Sequence, residues 1–161
     1  YGKNGLIGGV AGIWCTHGVC LGYHLMPTSE GRDDFFSALL CHWESAPKIV
    51  VYDFACSLAA YCMVREPEFF ANTRFLIDEL HAHGHTACSP ACFISTAMQA
   101  DPSLRKINSS AAECAHSGFG HIAHSLSFMN EEHAALVLWA VIQIHNRKKL
   151  IQTGQRALRT E

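Results

Sequence analysis

The sequence predicts an α/β fold whose sheet contains at least one parallel crossover. Three observations carry that expectation. Residues 48–52 form a continuous apolar run of strand length, the pattern of a strand covered on both faces. Segments with apolar residues at helical spacing stand before and after that run. Strand-like and helix-like stretches alternate, in the order strand, strand, helix, strand, helix, strand, long loop, helix, helix.

Taken in order, residues 5–14 are apolar and glycine-rich, and residues 19–26 form a second apolar run. Cys15, Thr16, His17 and Gly18 separate them, so the pair reads as an antiparallel hairpin with Gly18 supplying the turn's conformational freedom. Residues 27–31 are a turn and helix entry. Residues 33–43 place Phe35, Phe36, Leu39, Leu40 and Trp43 at helical spacing, and Pro47 ends that helix. The strand 48–52 follows, closed by Asp53. A helix is expected over 54–64, an interruption at Pro67, and a strand over 74–78. His81, His83, His85, Cys88 and Cys92 then fall in a long loop containing glycine, serine and proline, with a further turn at Asp101 and Pro102. Residues 109–129 return to helical spacing. Asn130, Glu131 and Glu132 form a cap and first turn for a long helix from 133 to about 152. Its apolar stripe is expected on Leu136, Trp139, Val141, Ile142 and Ile144. Arg147, Lys148 and Lys149 suit its C-terminal end, and Gly154 is expected to stop it. The domain therefore spans 1–152, with 153–161 a loose terminal segment.

A chain of 161 residues suits one domain. With 49% hydrophobic and 16% charged residues the composition is that of a folded protein. A formal charge of -2 excludes a nucleic-acid clamp that works by bulk basicity, so phosphate neutralisation would have to come from elsewhere or from bound cations. The basic residues Arg147, Lys148, Lys149, Arg156 and Arg159 fit a solvated helix end better than a phosphate contact. No apolar run reaches membrane-spanning length. Eight cysteines and eleven histidines stand out. A disulfide framework is not expected, because the chain is long enough for an ordinary core and Cys41, Cys62 and Cys114 sit in apolar runs. A reducing compartment follows, in which most cysteines act as small buried hydrophobes.

Two residue sets carry possible chemistry. Asp53 ends a buried strand, where α/β folds place their sites, and Glu113 lies on a helix among small residues. Carboxylates from separate elements are what a two-metal phosphodiester site requires. The plainer reading is that Asp53 caps the next helix and Glu113 is a surface residue, and Asp78 is a rival to both. The second set is Cys15, His17, Cys56, His81, His85 and Cys88. Thiolates and imidazoles in fours bind zinc tetrahedrally, and an ion could hold a loop with little core of its own. Scattered ligands are a weaker signal than paired C-x-x-C motifs, and unligated buried cysteines with surface histidines are the competing reading. The remaining histidines His116, His121, His124, His133 and His145 carry no expected role.

Several of these segments resemble a known family. Cys15, His17 and Gly18 match the C-x-H-G motif of the Kyakuja/Dileera/Zisupton (KDZ) superfamily of transposases. Val51, Tyr52, Asp53, Ala55 and Cys56 resemble its strand-end acidic motif. Phe75, Asp78, His81, His85, Cys88 and Ser89 resemble its F-x-x-D-x-x-H-x-x-x-H-x-x-C-S stretch, and Asn108, Ala112 and Glu113 its N-[S/T]-x-x-A-E segment. The similarity spans roughly residues 5 to 150, in the family's order.

The resemblance implies an RNase H-like mixed sheet flanked by helices, with a D-D-E triad working with Mg²⁺ or Mn²⁺. Asp53 matches the second acid and Glu113 the third. The first acid belongs to a strand before Cys15, where this sequence has none, so the first strand is expected to lie upstream of this fragment. The implied activity is metal-dependent DNA cleavage and strand transfer, with transposon ends as partner, possible homo-oligomerisation, nuclear location and a structural Zn²⁺. Cys114 and His116 depart from the family's usual residues beside Glu113. They fit an alternative, a domesticated, non-catalytic, zinc-stabilised interaction domain. A hydrolase with a Cys/His nucleophile and base is a third possibility, for which no cysteine has a recognisable context.

Overall fold

A computed structural model describes residues 5–157, with side chains described to residue 155. The elements in chain order are β1 (Gly9–Trp14), β2 (Cys20–Met26), α1 (Arg32–His42), β3 (Ile49–Val51), α2 (Ala55–Arg65), α3 (Pro67–Phe70), β4 (Arg74–Leu76), α4 (Ile94–Ala100), α5 (Ala111–Leu126) and α6 (Glu131–Ala157). The fold is mixed α/β and helix-rich. It divides into two compact units, residues 31–110 and a discontinuous unit of residues 1–30 with 111–161.

In the 31–110 unit, β3 and β4 pair in parallel, Ile49 opposite Arg74 and Val51 opposite Leu76. The connection between them is α2 and α3, so the expected parallel crossover is present. Asp34 begins α1 by accepting the Gly31 N–H at 2.8 Å. Leu39, Leu58, Cys62 and Phe70 form one buried cluster, with Phe36 and Tyr52 packed on it. Leu76, Ile94, Ala97 and Leu104 form another. The strand expected to be covered on both faces is half-buried along its length. Two features of the expected long loop differ. It contains a helix, α4, whose Ile94 and Ala97 supply that second cluster. It also returns alongside β4: Ile77 pairs with Phe93, its N–H donating to the Cys92 carbonyl at 2.7 Å.

In the other unit, β1 and β2 form the expected antiparallel hairpin, Gly9 opposite Met26. Gly18 has φ of 74° and closes the turn through its N–H to the Cys15 carbonyl, 2.8 Å. A side chain at that φ would be strained. Asn130 caps α6, its Oδ1 accepting the His133 N–H at 3.0 Å. Helix α6 packs on β2 through Asn146, whose amide accepts the Cys20 N–H at 2.8 Å and donates to the Cys20 carbonyl at 2.9 Å. His145 donates from Nε2 to the Gly18 carbonyl at 2.8 Å. The stripe of α6 differs from the expected one. Ala134, Leu138 and Ile142 are buried, whereas Leu136, Trp139 and Ile144 are more than half exposed. Of the expected stripe Ile142 is buried and Val141 half-buried; small Ala134 lets the helix approach closely on the same face as Leu138. Nor does Gly154 stop the helix, which continues to Ala157, within the stretch expected to be loose. The hairpin and helices border a mainly apolar, half-open pocket of about 440 Å³, lined by Trp14, Phe119, Gly120 and Ile142.

Candidate functional site

Three of the candidate metal ligands, Cys56, His85 and Cys88, converge in the 31–110 unit. Cys56 lies in the first turn of α2, placed by Ala55, which is fully buried before it. His85 and Cys88 come from the segment after β4. The 3-10 turn Ala82–Gly84 directs the chain into His85, whose N–H donates to the Ala82 carbonyl at 3.1 Å. Cys88 then donates its N–H to the His85 carbonyl at 3.1 Å, folding one side chain over the other. The Cys56 Sγ and the Cys88 Sγ each lie 3.6 Å from His85 Nδ1. All three donor atoms fall within 4.8 Å of one another, and all three residues are half-buried. Tetrahedral zinc, with Zn–S near 2.3 Å and Zn–N near 2.0–2.1 Å, sets sulfur and nitrogen about 3.5 Å apart. The observed spacing therefore fits a metal ion such as zinc without rearrangement. Phe54 covers the imidazole edge-on, ring centres 5.6 Å apart.

A metal ion bound here would displace a thiol proton. The Cys88 thiol is pushed above its ordinary value, first by its hydrogen bond with Cys56, then by burial and by like charge at Cys56 and Cys92. Two thiolates this close repel unless a cation lies between them, and a bound divalent ion reverses that penalty.

Asp78 supports the loop that carries two of these ligands. It is buried, 6% exposed, immediately beyond β4. Its Oδ1 accepts the N–H groups of Leu80 at 2.8 Å and His81 at 3.1 Å, and its Oδ2 faces His81 Nδ1 at 2.8 Å. The carboxylate thus fixes both the turn and the His81 ring. The sequence offered Asp78 only as a rival acid; the D-x-x-H spacing was the available signal for this supporting role.

No protein-family model, curated protein or solved structure matches the chain.

The other sequence candidates have the following places. Asp53 is half-buried at the end of β3, and its Oδ1 accepts the Phe54 N–H at 2.7 Å. That bond lies at the entrance to α2, whose N-cap residue is Phe54. Glu113 lies in the first turn of α5 and is exposed, so its charge is not desolvated and needs no compensating partner. Cys15 and His17 sit at the hairpin turn, Sγ to Nδ1 4.0 Å. Among the described residues the one group of three metal-type donors is Cys56, His85 and Cys88, so Cys15, His17 and His81 stand outside it. All eight cysteines are free thiols. Cys62 is buried as expected, but Cys41 and Cys114 are exposed.

Proposed function

We propose that this chain is a zinc-stabilised RNase H-like core of the KDZ transposase type, acting on DNA in the nucleus. Zn²⁺ on Cys56, His85 and Cys88 pins the segment after β4 to the start of α2. The observation that carries the reading is the convergence of those three donors at 3.6 Å spacing, two residues beyond Phe54 and three beyond Asp53. The ion would thereby stiffen the strand-to-helix junction that holds the proposed second acid. By the resemblance Asp53 would be the second acid and contribute a carboxylate to Mg²⁺ or Mn²⁺, and Glu113, which belongs to the other unit, would be the third. Asp53 fits such a role in that its Oδ1 is engaged by a backbone N–H, which fixes the carboxylate and leaves Oδ2 for a cation. When bound, the divalent ions supply the Lewis acidity for phosphodiester cleavage and strand transfer.

Two measurements test the parts separately. Metal analysis of the purified chain is expected to find roughly one zinc per chain, lost in Cys56→Ser and His85→Ala. In a protein carrying all three acids, Asp53→Ala is expected to abolish Mg²⁺-dependent strand nicking while keeping the zinc and the fold. Persistent nicking would remove the catalytic assignment.

A second reading, a domesticated interaction domain that keeps the zinc and has lost cleavage, is favoured by Cys114 and His116 beside an exposed Glu113. Absence of nicking in the extended wild-type protein, with full zinc, is its expected signature.

A further inference from the structure

We infer that Cys56 and Cys88 form an oxidative modification site, a dithiol that a peroxide converts to a disulfide with release of the metal. The two sulfurs lie within 4.8 Å of each other and share one imidazole nitrogen at 3.6 Å. Most thiol pairs in a folded chain lack both features. Both cysteines are half-buried, so a small oxidant reaches them. Cys20 and Cys62, by contrast, are closed off in the two cores.

The segment that carries Cys88 has protein bonds of its own. Asp78 holds the turn after β4 through the N–H groups of Leu80 and His81. The Ile77–Phe93 bridge fixes the return of the segment. These bonds keep Cys88 on the side of β4 where the two sulfurs lie within 4.8 Å, the proximity a disulfide requires. The bond itself rests on this geometry alone; zinc release as its consequence rests on the metal reading above.

The chemistry balances with one peroxide. One cysteine sulfur attacks a peroxide oxygen: the S–O bond forms, the O–O bond breaks and the first water leaves, giving a sulfenic acid. The second sulfur attacks that sulfenic sulfur: the S–S bond forms, the S–O bond breaks and a second water leaves. His85 Nδ1, adjacent to both, can take up a thiol proton in either step. Sulfur loses two electrons and the peroxide gains them. A disulfide offers a metal no thiolate, so only His85 is left as a donor.

The test uses the zinc-loaded chain with exposed Cys41 and Cys114 changed to serine, to suppress links between molecules. Stoichiometric hydrogen peroxide is expected to lower the mass by two hydrogens and release zinc to a chromophoric chelator. Peptide mapping is expected to join residue 56 to residue 88, and dithiothreitol with added zinc to restore the starting state. Cys92→Ser should leave the link unchanged, and Cys56→Ser or Cys88→Ser should abolish it. A link between residues 88 and 92, or oxidation to sulfinic acid without a link, overturns the inference. A chain that binds no zinc yet forms the 56–88 link refutes the zinc reading and retains this one.

Discussion

At the scale of single residues, Asp78 and Cys62 show how burial decides what a side chain can do. Asp78 is the buried charged residue among those described, and it survives there because three N–H groups or ring atoms meet its oxygens. Asp78→Ala removes the acceptor of two backbone N–H groups at a part-buried turn. It is expected to destabilise the chain by about 1–3 kcal/mol, measured by urea unfolding. Asp78→Asn keeps one acceptor oxygen and is expected to lose about half as much. Cys62 is fully buried, and burial pushes its thiol up from 9.0 to about 11, against a smaller lowering by Arg65. The raised value favours the neutral thiol in the folded state. Its contribution to stability is therefore complete below pH 9.0 and is lost as pH rises through about 11. Cys62→Ala should flatten that alkaline loss in a series of melts, whatever it does to stability at pH 7. The candidate metal ligands Cys56, His85 and Cys88 were legible in the sequence because H-x-x-C together with a distant cysteine is chemically unusual. That Cys15, His17 and His81 stand outside the group was not legible, because spacing along the chain does not report which loops meet.

At the scale of elements, Asn146 makes two of the bonds that dock the hairpin on α6, beside His145 on the Gly18 carbonyl. Asn146 offers β2 an acceptor and a donor, as a neighbouring strand would. Asn146→Ala is expected to cost about 2–3 kcal/mol, and Asn146→Asp, which cannot donate, nearly as much; chemical denaturation measures both. Helix α5 carries the opposite opportunity. A Cβ at Gly118 or Gly120 would meet nothing within 4 Å. Replacing either by alanine is expected to stabilise the chain by about 0.5–1 kcal/mol, seen as a raised melting temperature. Gly18→Ala should do the reverse by about 1–2 kcal/mol, because its φ of 74° suits no side chain. The hairpin, its turn glycine and the asparagine cap of α6 were readable because each depends on local chemistry. The buried face of α6 was not. Ile142 is the one residue of the expected stripe that α6 buries; Ala134 counts little in a hydrophobic pattern but allows close approach, with Leu138 on the same face. Helix α4 was hidden for a related reason: seven residues are too few for periodicity to stand out from a loop.

At the scale of the whole molecule, the α/β alternation was legible and the division into two units was not, since composition does not change at residues 30 or 110. The candidate metal centre belongs to one unit only. Chelation of the zinc-loaded chain is expected to accelerate amide exchange over residues 54–93 and to leave the β1–β2 hairpin and α6 unchanged, as read by mass spectrometry. Uniform acceleration would mean that the ion supports the whole chain.

The clamp of Cys20 by Asn146 spans 126 positions of sequence. During synthesis the hairpin therefore leaves the ribosome long before its binding surface on α6 exists. Residues 31–110 carry their own clusters and parallel strand pair, and can close first. Until translation reaches the last helix, the apolar underside of the hairpin has to be shielded from premature association. A ribosome stalled short of residue 146 would present it to chaperones.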